Sequence, residues 1–241
     1  MLFMFILLIG MLPAFLLIRY LYRLDSIEKE PVGLLVRLFI FGGIMTAAAS
    51  VMEMAGLWVE RLFVPDTSSL TFQVIENFIV IGVSEELVKY IALRRTTWYN
   101  INFNYRFDGV VYSATTALGF AAVENVLYIL RFGIGVAPVR ALTSIPLHCI
   151  TGIFMGHYYG QAKYCESRHL WDAMTFYNIL SVAIPALLHG FYDFAAGAQS
   201  ELLSFIFLGY VIILDIIAYI CVRRFAKDDV NVEDYSGMFN R

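Results

Sequence analysis

Charge is scarce in this sequence. Asp, Glu, Lys and Arg supply 15% of 241 residues, against roughly a quarter in soluble domains. With 60% hydrophobic residues and a mean hydropathy of +0.71, that scarcity excludes an ordinary soluble domain and points to a polytopic membrane protein. Cysteine is rare too. Cys165 and Cys221 fall at the end of the molecule assigned below to the cytoplasm and Cys149 is mid-span, so none is placed for an extracytoplasmic disulfide and all three read as inert thiols. No P-loop, dinucleotide-binding glycine fingerprint or paired CxxC motif is present, which removes the usual soluble-cofactor sites. No alternating strand pattern supports an outer-membrane barrel. The lack of an internal repeat argues against repeat-built transporter folds.

Apolar runs are plentiful. About 20 apolar residues span a hydrocarbon core of about 30 Å as a helix, and seven such runs occur, approximately 2–18, 33–57, 74–93, 108–130, 137–161, 173–197 and 201–222. The longest polar pieces are 58–72, 94–107 and the segment from 223. The expected fold is therefore an all-α polytopic bundle of about seven transmembrane helices, a single domain over 1–241 with a short tail at 223–241. The opening "MLFMFILLIGMLPAF" has no basic stretch ahead of its apolar run and reads as a retained first span.

Orientation follows from Lys and Arg, which insertion retains in cytoplasmic loops. With the amino terminus outside, the inner segments hold twelve (Arg19, Arg23, Lys29, Arg94, Arg95, Arg106, Lys163, Arg168, Arg223, Arg224, Lys227, Arg241) and the outer loops three (Arg61, Arg131, Arg140). The expected topology is amino terminus out and carboxyl terminus cytoplasmic. This asymmetry accounts for the basic residues, so no nucleic-acid partner is expected; the lipid bilayer is.

Against this apolar background the ionisable residues inside the spans stand out, since each is costly there and marks a functional site by default. "GVSEELVKYIALRR" carries Glu85 and Glu86 with Lys89 four and three residues on, within reach of either carboxylate on a helix. A structural ion pair needs one acid; the second is left seeking a proton, another partner or water. The fourth run holds Glu124 and Asn125 beyond its midpoint, after a series of small residues from Gly109 to Ala122 that permit close helix contact. The fifth holds His148 near its centre, while His157, nine residues on, falls on the opposite face and is left out of the site. In "IPALLHGFYDFAAG" His189 and Asp193 are one turn apart, the spacing at which a carboxylate receives an imidazole N–H. Pro185, a turn before His189, predicts a local opening or kink. Tyr192 reads as an interfacial belt residue or an extra hydrogen-bond donor. At 1.5 Å per residue, Glu85, Glu124, His148 and His189 all lie within roughly 10 Å of the bilayer centre.

Absent motifs exclude several peptide-bond chemistries. There is no H-E-x-x-H, no G-x-S-x-G and no G-x-G-D. Carboxylates and histidines without an evident nucleophile remain, a set that can activate water, with Glu as general base and His as proton donor or oxyanion partner. The same groups could line a proton or cation pathway, or sit in a non-catalytic adaptor.

"EELVK" at 85–89, "FAAVEN" at 120–125 and "HGFYD" at 189–193 resemble the E-E-x-x-K, F-x-x-x-E and H-x-x-x-D motifs of the PrsW family of intramembrane proteases, distant relatives of the CAAX prenyl proteases. "YRLDSIEKEP" at 22–31, "FDGVVY" at 107–112 and "PLHCITG" at 146–152 are similar to flanking segments of that family. The resemblance implies a multi-pass bacterial cell-membrane protein, a glutamate-dependent protease that cuts a single-span anti-sigma factor on its extracytoplasmic side and so starts release of an extracytoplasmic-function sigma factor. It implies Glu85, Glu86, Glu124, His148, His189 and Asp193 as catalytic and Lys89 and Asn125 as supporting. Which of Glu85 and Glu86 is the base stays open. No cofactor is expected, although Glu85, Glu124, His148 and His189 would also suit zinc or manganese, so a metal-dependent hydrolase stands as the alternative.

Overall fold

The computed structural model describes residues 2–197 and 200–232, with side chains from residue 4 onward. Every regular element among them is helical: α1 (Leu2–Leu24), α2 (Val32–Phe63), α3 (Leu70–Val74), a π-helical stretch (Ile75–Val83), α4 (Ser84–Thr97), α5 (Arg106–Phe132), a 3₁₀ turn (Ile134–Val136), α6 (Ala137–Leu142), α7 (Ser144–Ser167), α8 (Trp171–Gly197) and α9 (Glu201–Lys227). Six helical segments among the described residues are long and apolar enough to cross a membrane. The remaining expected span is the run from Leu70 to Thr97, divided by the π-helical stretch into three pieces, none long enough alone.

Several helices run past the expected spans, α1 to Leu24 and α2 to Phe63 among them, and two further boundaries differ in kind. The run at 137–161 is split at Thr143, where φ −126° and ψ −66° leave helical geometry, so the crossing helix is α7 and the short α6 sits at its mouth. The tail expected from 223 is helical as far as Lys227, and its residues 233–241 lie outside the described residues. Pro185 is accommodated inside an unbroken α8. The irregular backbone falls instead in the neighbouring π-helix, a wider turn found mostly at functional sites.

α5 is the centre of the bundle. It packs against α1, α2, α4 and α7, and nearly every residue from Phe107 to Ala122 is buried. Over that stretch the helix has no lipid-facing side, which is why its sequence there carries small residues rather than a broad apolar stripe. Gly119 meets α2 so closely that a Cβ would stand 2.0 Å from the Phe39 carbonyl oxygen. A second backbone-to-backbone crossing joins the π-helix to α8, where Cβ atoms at Gly82 and Gly190 would come within 2.8 Å of the Ala186 oxygen and 2.7 Å of Phe78 Cα. This crossing sets Glu85 and Glu86 beside His189.

The segments 25–31, 98–105, 166–170 and 228–232 meet at one end of the bundle. Asn104 reaches Glu28, Trp98 reaches Glu166, Arg106 bonds the Asp228 carbonyl, and Tyr105 pairs with Asn231. Most of the basic residues gather here, and the carboxyl ends of α2, α5 and α8 lie at the other.

The α2–α5 crossing is testable. Gly119→Ala should lower the thermal unfolding midpoint of the purified protein in detergent, at a cost of about 1–3 kcal/mol for overpacking. Gly209→Ala, with nothing within 4 Å of the new methyl, should leave the midpoint unchanged or slightly higher. Equal midpoints would show that α2 yields at this contact.

Candidate active site

Helix spacing brings the two acids and the lysine of α4 together as expected, and tertiary packing encloses them. Lys89 Nζ donates to Glu85 Oε2 at 3.0 Å and Glu86 Oε1 at 2.8 Å, and lies 3.0 Å from His148 Nδ1 on α7. It also sits 4.3 Å from the Phe120 ring centre, over its face. Lys89 and Glu86 have no solvent exposure and Glu85 retains 6%. An ammonium has no lone pair to accept with, so it donates to His148 Nδ1, which places the ring hydrogen on Nε2. That nitrogen lies 2.9 Å from Glu124 Oε2 on α5.

His189 lies between three carboxylates. Its Nδ1 is 2.9 Å from Glu86 Oε1, and its Nε2 is 3.3 Å from Asp193 Oδ2 and 3.8 Å from Glu85 Oε2. The one-turn pairing with Asp193 is present, but Glu86 holds the other ring nitrogen at shorter range. The His148 and His189 rings meet edge to face with centres 5.0 Å apart.

These groups floor a cavity of about 630 Å³. Glu85, Glu124, His148, His189 and Asp193 line it, together with Glu53 on α2 and Asn77 on the π-helix. Glu86 and Lys89 stand behind this lining. The rim, which includes exposed Leu127, Phe132 and Ala196, lies at the end away from most of the basic residues, Arg131 and Arg140 being the two that line the cavity. Desolvated walls around a polar floor strengthen every electrostatic contact made there.

Asn125 takes a different place from the other expected residues. It is fully buried, donates to the Gly10 carbonyl on α1 at 2.9 Å and accepts from Arg140 Nε at 3.1 Å. Its amide therefore braces α1 and α6 against α5. Tyr192, buried rather than at a lipid interface, lines the cavity and donates to Thr143 Oγ1 at 2.8 Å. His157 stacks on Phe225 with ring centres 3.8 Å apart, away from the site.

Arg140 escaped sequence reasoning, where it counted only as an outer-loop charge. From α6 its guanidinium reaches Glu124 Oε2 at 2.9 Å and covers the Tyr128 ring at 3.8 Å. Nothing in its local sequence announces this, because the break at Thr143 that folds α6 over the site is itself not visible there. Glu53 was legible. It is an acid within an apolar run, the signal that marked Glu124.

Glu85, Glu86, His148 and His189 offer ligand atoms within 4.8 Å of one another. Glu124, counted from sequence among the possible ligands, is occupied by His148 and Arg140 instead.

A family model described as "PrsW family intramembrane metalloprotease" matches residues 30–220. The chain is 32% identical over 192 residues to Protease PrsW of Bacillus subtilis, covering 80% of this chain and 83% of that protein. It is 32% identical over 215 residues to Protease PrsW of Oceanobacillus iheyensis, covering 89% and 93%. The protein of that name from Clostridioides difficile is 29% identical over 211 residues, covering 86% and 85%. No solved structure matches the chain.

Removing Lys89 leaves two buried acids without their cation. Lys89→Met should destabilise the protein by about 3–5 kcal/mol, the usual result of deleting one partner of a buried ion cluster, read as a lower unfolding midpoint in detergent. An unchanged midpoint would mean that the acids do not depend on the ammonium.

Proposed function

The chain belongs to the PrsW family of intramembrane proteases, and from that premise we propose that it hydrolyses a peptide bond of a single-span membrane protein with water activated by a glutamate. One observation carries this reading: acid and imidazole groups from α4, α5, α7 and α8 converge on the floor of a single cavity that reaches the surface at one end. A transporter would need such groups to continue through the bundle. Here the fully buried Glu86 and Lys89 close the floor.

In this mechanism Glu85, the α4 acid that lines the cavity, takes a proton from water as the water oxygen attacks the scissile carbonyl carbon. Glu86, without access to the cavity, is a positioning residue that holds His189 and Lys89. His189 gives a proton to the departing amine. Asp193 and Glu86 keep both of its ring nitrogens aimed at acceptors. The oxyanion forms beside donors already fixed by Glu124, which Arg140 and His148 hold from two sides. Lys89 supplies the fixed positive charge that lets two carboxylates stand together.

The substrate in this reading is a single-span anti-sigma factor, cut on its extracytoplasmic side to begin release of an extracytoplasmic-function sigma factor. Two features support it. The cavity opens at the end opposite most of the basic residues, which is the outer end if the majority of Lys and Arg report the cytoplasm. Its volume of about 630 Å³ is enough for a short peptide segment.

A second reading has its own support. The donors Glu85, Glu86, His148 and His189 fit a divalent ion of the zinc class, Glu86 Oε2 is buried with no hydrogen-bond partner among the described residues, and the matching family model is described as a metalloprotease. When bound, such an ion would supply carbonyl polarisation and a more acidic water. Lys89 donates to three of these four residues, so ammonium and ion would compete for the same lone pairs.

Glu85→Gln should reduce cleavage of a co-expressed single-span substrate by about 10²–10⁴-fold, the usual worth of a general base, with expression unchanged. Retained cleavage in a Glu85→Gln, Glu86→Gln double variant would refute the assignment. Purified protein in detergent should keep cleaving after prolonged chelation; loss of activity restored by added zinc would establish the metal reading instead.

A further inference from the structure

A second group of acids lies at the basic end, away from the cavity. Asp25 and Glu30 belong to the α1–α2 loop and Asp108 to the first turn of α5. Their carboxylates offer oxygens within 4.8 Å of one another, and the three residues are 2%, 2% and 1% exposed. None forms an ion pair with Lys or Arg among the described residues. The lysine of this loop, Lys29, spends its ammonium on the backbone carbonyls of Tyr22 and Asp25.

The three are unequally satisfied. Asp108 Oδ2 accepts the N–H groups of Asn104 at 3.0 Å and Tyr105 at 2.6 Å, and Glu30 Oε2 accepts the Tyr112 hydroxyl. Asp25 Oδ2, shut off from solvent, has no hydrogen-bond partner among the described residues. Leaving a buried carboxylate oxygen orphaned is costly, and here it stands beside two further buried acids. Burial, with Asp229 and Glu28 nearby, lifts the Asp25 carboxyl to about 6; burial likewise lifts Glu30 to about 7, opposed by its bond from Tyr112.

We propose that Asp25, Glu30 and Asp108 bind a hard divalent cation of the magnesium or calcium class, tying the α1–α2 loop to the start of α5. The donor set decides the class. It contains carboxylate oxygens and neither imidazole nor thiolate, which suits Mg²⁺, Mn²⁺ or Ca²⁺ rather than zinc. The ion would occupy the unpartnered side of Asp25 while Asp108 and Glu30 keep their existing hydrogen bonds. α5 is the helix that also carries Glu124, so a cation here would brace the central helix from the end opposite the cavity.

Equilibrium dialysis of the full chain in detergent against Mn²⁺ tests the proposal, with Mg²⁺ and Ca²⁺ as separate competitors. Wild type should hold one more Mn²⁺ per chain than Asp25→Asn, Asp108→Asn or Glu30→Gln, and Glu85→Gln one more than Glu85→Gln carrying any of these loop substitutions. Glu85→Gln serves to separate this site from any ion in the cavity. The competitor effective at lower concentration identifies the preferred ion, and that ion should raise the unfolding midpoint of wild type and Glu85→Gln but not of Asp25→Asn. Equal Mn²⁺ binding in wild type and a folded Asp25→Asn or Glu30→Gln would overturn the proposal. So would the absence of bound Mn²⁺ in both wild type and Glu85→Gln, a measurement that requires no substitution in the loop.

Discussion

A lysine ammonium with no exposure to solvent holds the centre of this molecule together. Lys89 donates to Glu85, Glu86 and the His148 ring while resting on the face of Phe120. Two carboxylates that close would otherwise repel in a low-dielectric interior, and one would be forced to keep a proton. The ammonium makes their proximity tolerable and links α4, α5 and α7. Burying such a cluster is a weak route to stability. Its place at the floor of a cavity supplies a reason for it that packing does not.

From that centre the hydrogen bonds run outward in two directions. One passes through His148 to Glu124 and then to Arg140 and Asn125, reaching α6 and α1. The other passes through Glu86 to His189 and Asp193 on α8. A single connected network thus spans most of the bundle, and Glu85, Glu124, Arg140, His148, His189 and Asp193 of it line one cavity. The close glycine crossings matter for the same reason. With backbones in contact, helix positions are set to within a fraction of an ångström, as acid–base groups need if they are to act on one bond.

Much of the site was legible in the chain. Glu85, Glu86 and Lys89 at three- and four-residue spacing, and His189 with Asp193 a turn apart, are local relationships on a helix, and both pairings are present. The bonds of Asn125 and Arg140 were not legible, because each depends on a partner more than a dozen residues away and on a backbone break at Thr143. Pro185 misled for a related reason. Proline announces a lost hydrogen bond, but α8 absorbs it, and the distortion falls in the π-helix that α8 packs against. The acidic loop at 25–30 read as a flanking segment, since only its docking on the first turn of α5 turns Asp25, Glu30 and Asp108 into a cluster.

By itself the sequence determined that the chain forms apolar helices, roughly where they run, and which of them carry buried charge. Those properties follow from composition and from a 3.6-residue period, both local. Tertiary structure decided which acid of the adjacent pair faces the cavity, that Arg140 reaches Glu124, and that the π-helix lies against α8. Such outcomes depend on how each helix is rotated about its axis and how closely it crosses its neighbours. Those quantities are set by contacts such as Gly119 on Phe39 and Gly190 on Phe78, between residues far apart in the chain.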